Sequence, residues 1–192
     1  MNVNANEAQE ALATIQAVAQ RMRRAAANGG AHYFLILWGI VWFIGFLCSQ
    51  FLPHRTAGFI WLGLDILGAF GSWWLGRFRG RLVRASDDAA AGRRIGLFWL
   101  TLFAYCGLAV WIAAPLTGRQ LAMLIVLFVM IGWMAMSLLM SYSAAWLALF
   151  VTALAFASYF LLPDYFYLCM ALVGGGMMVG SGFYIRSKWR LS

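Results

Sequence analysis

Residues 32–52 read HYFLILWGIVWFIGFLCSQFL, an uninterrupted stretch without one Asp, Glu, Lys or Arg. A helix on the surface of a soluble domain carries a polar face, and this one has none. At 1.5 Å per residue it is long enough to cross the ~30 Å hydrocarbon core of a bilayer. Similar blocks follow at 57–76, 95–116, 120–140, 144–162 and 164–185. Of the 192 residues, 64% are hydrophobic and 10% are charged, where a soluble domain has about 25% charged. That is too little polar sequence to cover a water-soluble body, so a soluble globular enzyme is excluded. The sequence predicts an all-α polytopic membrane protein. Its parts are an amphipathic helix in 1–31, six transmembrane helices in 32–185 with a basic loop at 77–94, and a basic tail at 186–192.

The basic side chains sort by side. Arg21, Arg23 and Arg24 precede the first span, Arg77, Arg79, Arg81, Arg84, Arg93 and Arg94 lie between the second and third, and Arg186, Lys188 and Arg190 follow the last. Only Arg55 and Arg119 fall on the opposite side. Lys and Arg are retained in the cytoplasm, so both termini and the long loop are expected there. The net charge of +8 is thereby mainly a topology signal. Its partners are membrane lipids rather than nucleic acid, because the Arg77–Arg94 loop has no aromatic interleaving beyond Phe78.

Ahead of the first span, no short apolar core precedes a small-residue cleavage site, so a removable signal peptide is not expected. The segment reads instead as a capped helix. Asn6 and Gln9 stand at capping-box spacing, Glu7 and Glu10 sit at its positive end, Arg21, Arg23 and Arg24 at its negative end, and Gly29 and Gly30 stop it. Ala8, Ala11, Ile15, Val18, Met22 and Ala25 form one narrow apolar stripe. It suits this protein's own cytoplasmic face, a second copy, lipid headgroups or a cytoplasmic protein partner. Ile15, Val18 and Met22 are the candidate docking residues.

Three spans end in a proline: Trp38 to Pro53 is 15 residues, Trp99 to Pro115 is 16, and Trp146 to Pro163 is 17. Each proline precedes a short turn and a returning span, which suggests three repeated helical hairpins.

Asp65 is the one acidic or basic residue deep within a span. A carboxylate there costs about 2.5–3.5 kcal/mol on insertion scales, so it is expected to face the bundle interior, protonated or partnered. Gly58, Leu62, Asp65, Ala69, Ser72 and Gly76 share one helical face of small residues that permits close packing. At comparable depth lie Tyr105, Thr152 and the backbone at Gly174, Gly175 and Gly176. Two readings stand side by side. In one, Asp65, Trp61, Tyr105, Thr152 and Gly175 form a proton or cation site in an aromatic-lined cavity that binds, and moves, a small cationic or hydrophobic solute. In the other, Asp65 is packing glue hydrogen-bonded to Tyr105 or Thr152. Gly176 and Gly180 form a small-xxx-small pair for close packing, here or across a homodimer.

Other motifs carry less. Met130 with Met134, and Met136 with Met140, are paired in the fourth span, a spacing that can pass Cu(I), yet no Met- or His-rich entry segment accompanies them. His32 and His54 stand about 33 Å apart along one helix and cannot share a metal. Cys48, Cys106 and Cys169 show no CxxC spacing. Gly180-Ser181-Gly182 lacks a histidine at its depth, and there is no HExxH and no TVGYG. No metal, cofactor or enzyme activity is expected.

Glu7-Ala8-Gln9-Glu10-Ala11-Leu12, Arg23-Arg24, Gly29-Gly30-Ala31, Leu37-Trp38-Gly39-Ile40 and Ser49-Gln50-Phe51-Leu52-Pro53 together resemble the start of an uncharacterised bacterial family of small, about six-span inner-membrane proteins. The resemblance covers the N-terminal quarter. It implies a bacterial inner membrane and supplies no activity and no site residues.

Three functions therefore remain open from sequence. They are a protein that binds a solute around Asp65, with or without proton-coupled transport, a sensor or adaptor docking a cytoplasmic partner through its N-terminal helix, and a membrane scaffold without a ligand.

Overall fold

A computed structural model describes residues 31–80, 86–139 and 145–188, together with the single positions 9 and 13. The chain is helical throughout these segments. Helix α1 is Ala31–Phe51, α2 His54–Gly80, α3 Ser86–Ala113, α4 Gly118–Leu139 and α5 Ala145–Leu161. A 3-10 turn at Pro163–Tyr165 then leads into a sixth rod of three abutting pieces: α6 (Phe166–Cys169), a π-helical stretch (Met170–Gly175) and α7 (Gly176–Lys188). Backbone angles at the joints stay in the right-handed helical region, so the rod is continuous. Five of these elements are long and apolar enough to cross a membrane, and α5, with 17 residues, is a shorter apolar helix. This is an all-helical membrane protein.

Two boundaries differ from expectation. The loop expected over 77–94 is largely helical, because α2 runs on to Gly80 and α3 already begins at Ser86. A helix satisfies its own backbone in water as in lipid, so nothing forces it to end where the apolar residues end. The tail expected from Arg186 likewise begins inside α7. The amphipathic helix expected over 1–31, with Ile15, Val18 and Met22, lies outside the described residues apart from positions 9, 13 and 31.

Pro53, Pro115 and Pro163 all fall at the turns between elements, so one end of the bundle is the proline end and the other the basic end. At the proline end, α4 opens on a reciprocal cap in which the Thr117 amide donates to Gln120 Oε1 at 2.9 Å and the Gln120 amide donates to Thr117 Oγ1 at 3.3 Å. Gln50 ties α1 to the sixth rod: its Nε2 donates to the Asp164 carbonyl (2.9 Å), and its Oε1 accepts from the Leu168 amide (3.2 Å). That second bond satisfies a first-turn N–H that the rod itself leaves without an acceptor. Toward the basic end, Arg77 lies over the Trp73 ring and Arg186 over the Tyr33 ring, the aromatic–cation pairing usual where helices leave a membrane.

The packing is uneven. The buried core is built by α1 (Leu35, Val41, Trp42, Phe46), α4 (Met123, Val126, Val129, Met130), α5 (Ala148, Val151, Ala155) and the rod (Phe166, Met170, Ala171, Met178). Helix α1 packs along α7, the π stretch and α2; α5 packs along α4; α3 leans on α4; and α2 and α3 touch each other only slightly. Each proline turn therefore joins two helices that pack together, as the hairpin reading anticipates.

Two kinds of contact set these packings. The first is a glycine seam between α1 and the rod. A β-carbon added at Gly39 would lie 2.8 Å from the Val179 amide nitrogen, and one at Gly175 would lie 2.8 Å from the Phe43 amide nitrogen. Only glycine lets the two backbones meet this closely, and a β-carbon on either glycine would also stand 3.0 Å from the other's carbonyl oxygen. The second is tryptophan set into glycine. Trp61 of α2 covers Gly45 of α1, Trp38 of α1 covers Gly68 of α2, and Trp99 of α3 covers Gly132 of α4.

Within the chain, the seam is not made by the expected glycine pair. Gly176 and Gly180 have nothing within 4 Å of an added β-carbon, which leaves them open to a second copy, while Gly175, Val179 and Gly182 meet α1. A π turn is wider than an α turn, so the face presented beyond Met170–Gly175 is not the one a 3.6-residue count selects.

Candidate functional site

The rotation of α2 about its axis is set by paired indole–hydroxyl bonds. Trp38 Nε1 of α1 donates to Ser72 Oγ of α2 at 3.1 Å, and Trp61 Nε1 of α2 donates to Ser49 Oγ of α1 at 2.9 Å. Ser49 passes its own proton to the Gly45 carbonyl at 2.9 Å, so its hydroxyl is used as donor and acceptor. With these bonds made, Ala57, Trp61, Leu64, Gly68 and Ser72 turn toward α1, in steps of four and three.

Asp65 follows Leu64 and so stands on the flank of that contact, about 70° from its centre at 100° per residue. Its side chain is exposed on the outside of the bundle. It makes no hydrogen bond or ion pair with any of the described residues. Eleven residues beyond His54, it lies about 16 Å along a helix that continues to Gly80, and thus in the middle of the apolar layer. This overturns the expectation that the carboxylate faces inward. Two Trp–Ser pairs and two glycine sockets fix the helix in another setting, and one isolated acid does not outweigh them.

The other predicted residues are dispersed. Trp61 is half-buried and spends its N–H on Ser49. Ser72 accepts from Trp38. Tyr105, on α3, is 65% exposed. Thr152, on α5, donates to the Ala148 carbonyl of its own helix at 2.8 Å. Gly175 is buried in the seam against Phe43. No hydrogen bond among the described residues joins Asp65 to Tyr105 or Thr152, so the five do not form one cavity.

A void between α4, α5 and α7, lined by Met130, Trp133, Leu147, Ala148, Val151 and Met178, measures about 10 Å³, scarcely room for one water. A recess of about 530 Å³ is open to the outside between α5 and the rod; Trp146, Leu147, Leu149, Phe150, Ala153 and Met177 line it, and all are apolar. Neither space reaches Asp65. Of the paired methionines of the copper reading, Met130 is a buried core residue, Met134 and Met136 are half-buried, and Met140 lies outside the described residues. Among the described residues no three His, Cys, Asp or Glu side chains are placed to hold a metal.

Sequence reasoning gave no role to a junction at the proline end. His54 and the Tyr167 hydroxyl both come within 3.0 Å of where a β-carbon on Gly118 would stand, and Arg119 lies over the Tyr159 ring at 5.8 Å. The junction draws together the starts of α2, α4 and the sixth rod. Its only sequence signal is that each of these positions lies within a few residues of a turn proline.

Around Asp65, the outer surface of α2 consists of Gly58, Leu62, Ala69 and Gly76, all exposed. A β-carbon added at Gly58 or Gly76 would meet nothing within 4 Å. The candidate site is thus a membrane-facing helix surface with one acid at mid-depth. No protein-family model matches the chain, and no curated protein and no solved structure is significantly similar to it.

Proposed function

We propose that this protein is a membrane-embedded adaptor that works by lateral association within the bilayer. The observation that carries the reading is Asp65: a carboxylate at mid-membrane, exposed on the flank of α2, without a partner among the described residues. Hydrocarbon offers no hydrogen-bond donor, so an ionised carboxylate there is favoured when another component covers it and otherwise takes up a proton. The void between α4, α5 and α7, with scarcely room for one water, supports the same reading over passage of a solute there.

In this reading α5 is the sixth transmembrane element; its 17 residues span about 26 Å, the lower limit for a crossing. Both termini and the basic turn face the cytoplasm, as the distribution of arginines favours. The resemblance of the N-terminal quarter to a bacterial inner-membrane family favours that membrane. The amphipathic stripe of Ile15, Val18 and Met22 supplies the second contact, with a cytoplasmic protein, so that the adaptor joins a membrane component to a soluble one.

Native mass spectrometry of the wild-type protein and Asp65→Leu, both extracted gently from the membrane, tests this. The expected result is a protein-sized retained mass that disappears in the variant. A small-molecule mass lost in the same way would replace the adaptor by the solute-binding reading. Deleting residues 1–28 is expected to abolish capture of the soluble partner and leave the membrane partner bound.

A further inference from the structure

Resting on the adaptor reading, we infer that the occupant of the Asp65 surface is a transmembrane helix of another protein bearing an Arg or Lys at mid-depth, which pairs with Asp65 inside the membrane. Several features narrow the choice. A stretch of hydrocarbon chain could cover Leu62 or Ala69, but it has nothing to donate to a carboxylate. A second copy of this chain has no base to offer at this depth. On α2 itself, Arg55, Arg77 and Arg79 stand ten, twelve and fourteen residues from Asp65, roughly 15–21 Å along the axis, and among the other described residues Arg93, Arg94, Arg119 and Arg186 lie near the ends of their apolar stretches. Two copies meeting through this face would bring carboxylate against carboxylate, which disfavours their ionised forms together. A small cation in its place would find a single exposed carboxylate, with no group of His, Cys, Asp or Glu side chains gathered to hold it among the described residues.

A helix bearing a base fits each feature of the surface. Gly58 and Gly76 lie on either side of Asp65 with open space above them, so an approaching backbone can come close at both ends. A long Arg or Lys side chain from that helix then reaches the flank position that Asp65 occupies. The ion pair forms where water is excluded, and in a low-dielectric layer opposite charges attract far more strongly than at the membrane surface. The absence of a base deep within any span of this chain gives the contact its specificity: self-association through this face leaves two acids facing each other, and a complementary partner resolves the charge.

Synthetic 24-residue Leu/Ala transmembrane peptides are the probe, one series with a single central Arg and one with Leu there. Each is labelled and mixed in phosphatidylcholine vesicles with the full-length labelled protein, and energy transfer is read against peptide density. The Arg peptide is expected to associate at least tenfold more tightly than the Leu peptide, and the preference is expected to vanish in Asp65→Leu. Asp65→Asn, which keeps shape and hydrogen bonding but not charge, is expected to lose most of it. Equal association of both peptides would overturn the proposal while leaving lateral docking in place. Association of neither would overturn the adaptor reading as well. Energy transfer between two labelled copies of the protein that disappears in Asp65→Leu would also overturn it, since a second copy would then be covering the acid.

Discussion

Helices α1 and α3 have the same hydropathy over their apolar stretches, yet 33% of the α1 stretch is buried inside the protein and 6% of the α3 stretch. Helix α2 matches α3 at 6%, whereas α4 and the sixth rod reach 33% and 39%. In water, equally apolar helices would be driven inward alike. Between helices in lipid that drive is absent, because hydrocarbon solvates a Leu as well as another helix does, and fit decides instead. Helix α1 presents Gly39 to the rod and Gly45 to Trp61; two glycines of α3, Gly96 and Gly107, face open space. The molecule thus has an interdigitated body, α1 with α4, α5 and the rod, and a limb, α2 and α3, that rests on it through a few tryptophan contacts.

The sharpest break of this comparison pairs truncations of similar size. Met170 is wholly buried, and Met170→Ala is expected to cost about 2–5 kcal/mol by leaving a cavity. Phe70, 59% exposed on the limb, is expected to show little loss when made Ala, although the deletion is larger. Denaturant titration in mixed micelles reads both, and equal losses would mean that body and limb are packed alike.

A smaller effect comes from adding one carbon. Gly175→Ala puts a β-carbon 2.8 Å from the Phe43 amide nitrogen, and the expected cost is about 1–3 kcal/mol as α1 and the rod are pushed apart. Gly58→Ala meets open space and is expected to stay within about 0.5 kcal/mol of wild type. A silent Gly175→Ala would remove the seam from the account.

Smaller still is the attachment of the limb. Trp61→Phe keeps most of the ring over Gly45 but loses the bond to Ser49, for an expected loss of about 0.6 kcal/mol. Cysteine cross-linking between α1 and α2 is expected to show a looser α2 while the α1–rod distances hold. Asp65→Leu is expected to leave the purified protein's unfolding midpoint nearly unchanged, and to raise the yield of inserted chains by removing a charge from the span. A marked drop in stability instead would show that Asp65 has an internal partner.

Much of the fold was legible in the sequence because membrane insertion reads local composition. A run such as 32–52 cannot remain in water, and a proline after it cannot continue the helix, so helix positions and turns follow from short stretches read one at a time. The exception at 77–94 arose because hydropathy marks where a helix leaves lipid, not where it ends. Asp65 was legible as an anomaly for the same local reason. Its direction was not, nor was the dispersal of Tyr105, Thr152 and Gly175.

What the sequence by itself determined, then, is which segments are helices and the depth at which each residue sits, since both depend on axial distance along a single segment. Which way each helix turns was decided only in the tertiary structure. Trp38 reaching Ser72, Trp61 reaching Ser49 over Gly45, and the π turn that brings Gly175 rather than Gly176 against Phe43 are contacts between segments. Rotation costs a lipid-bathed helix almost nothing until a neighbour's shape engages it, so the side on which Asp65 emerges was settled by steric fit and two hydrogen bonds, not by its charge.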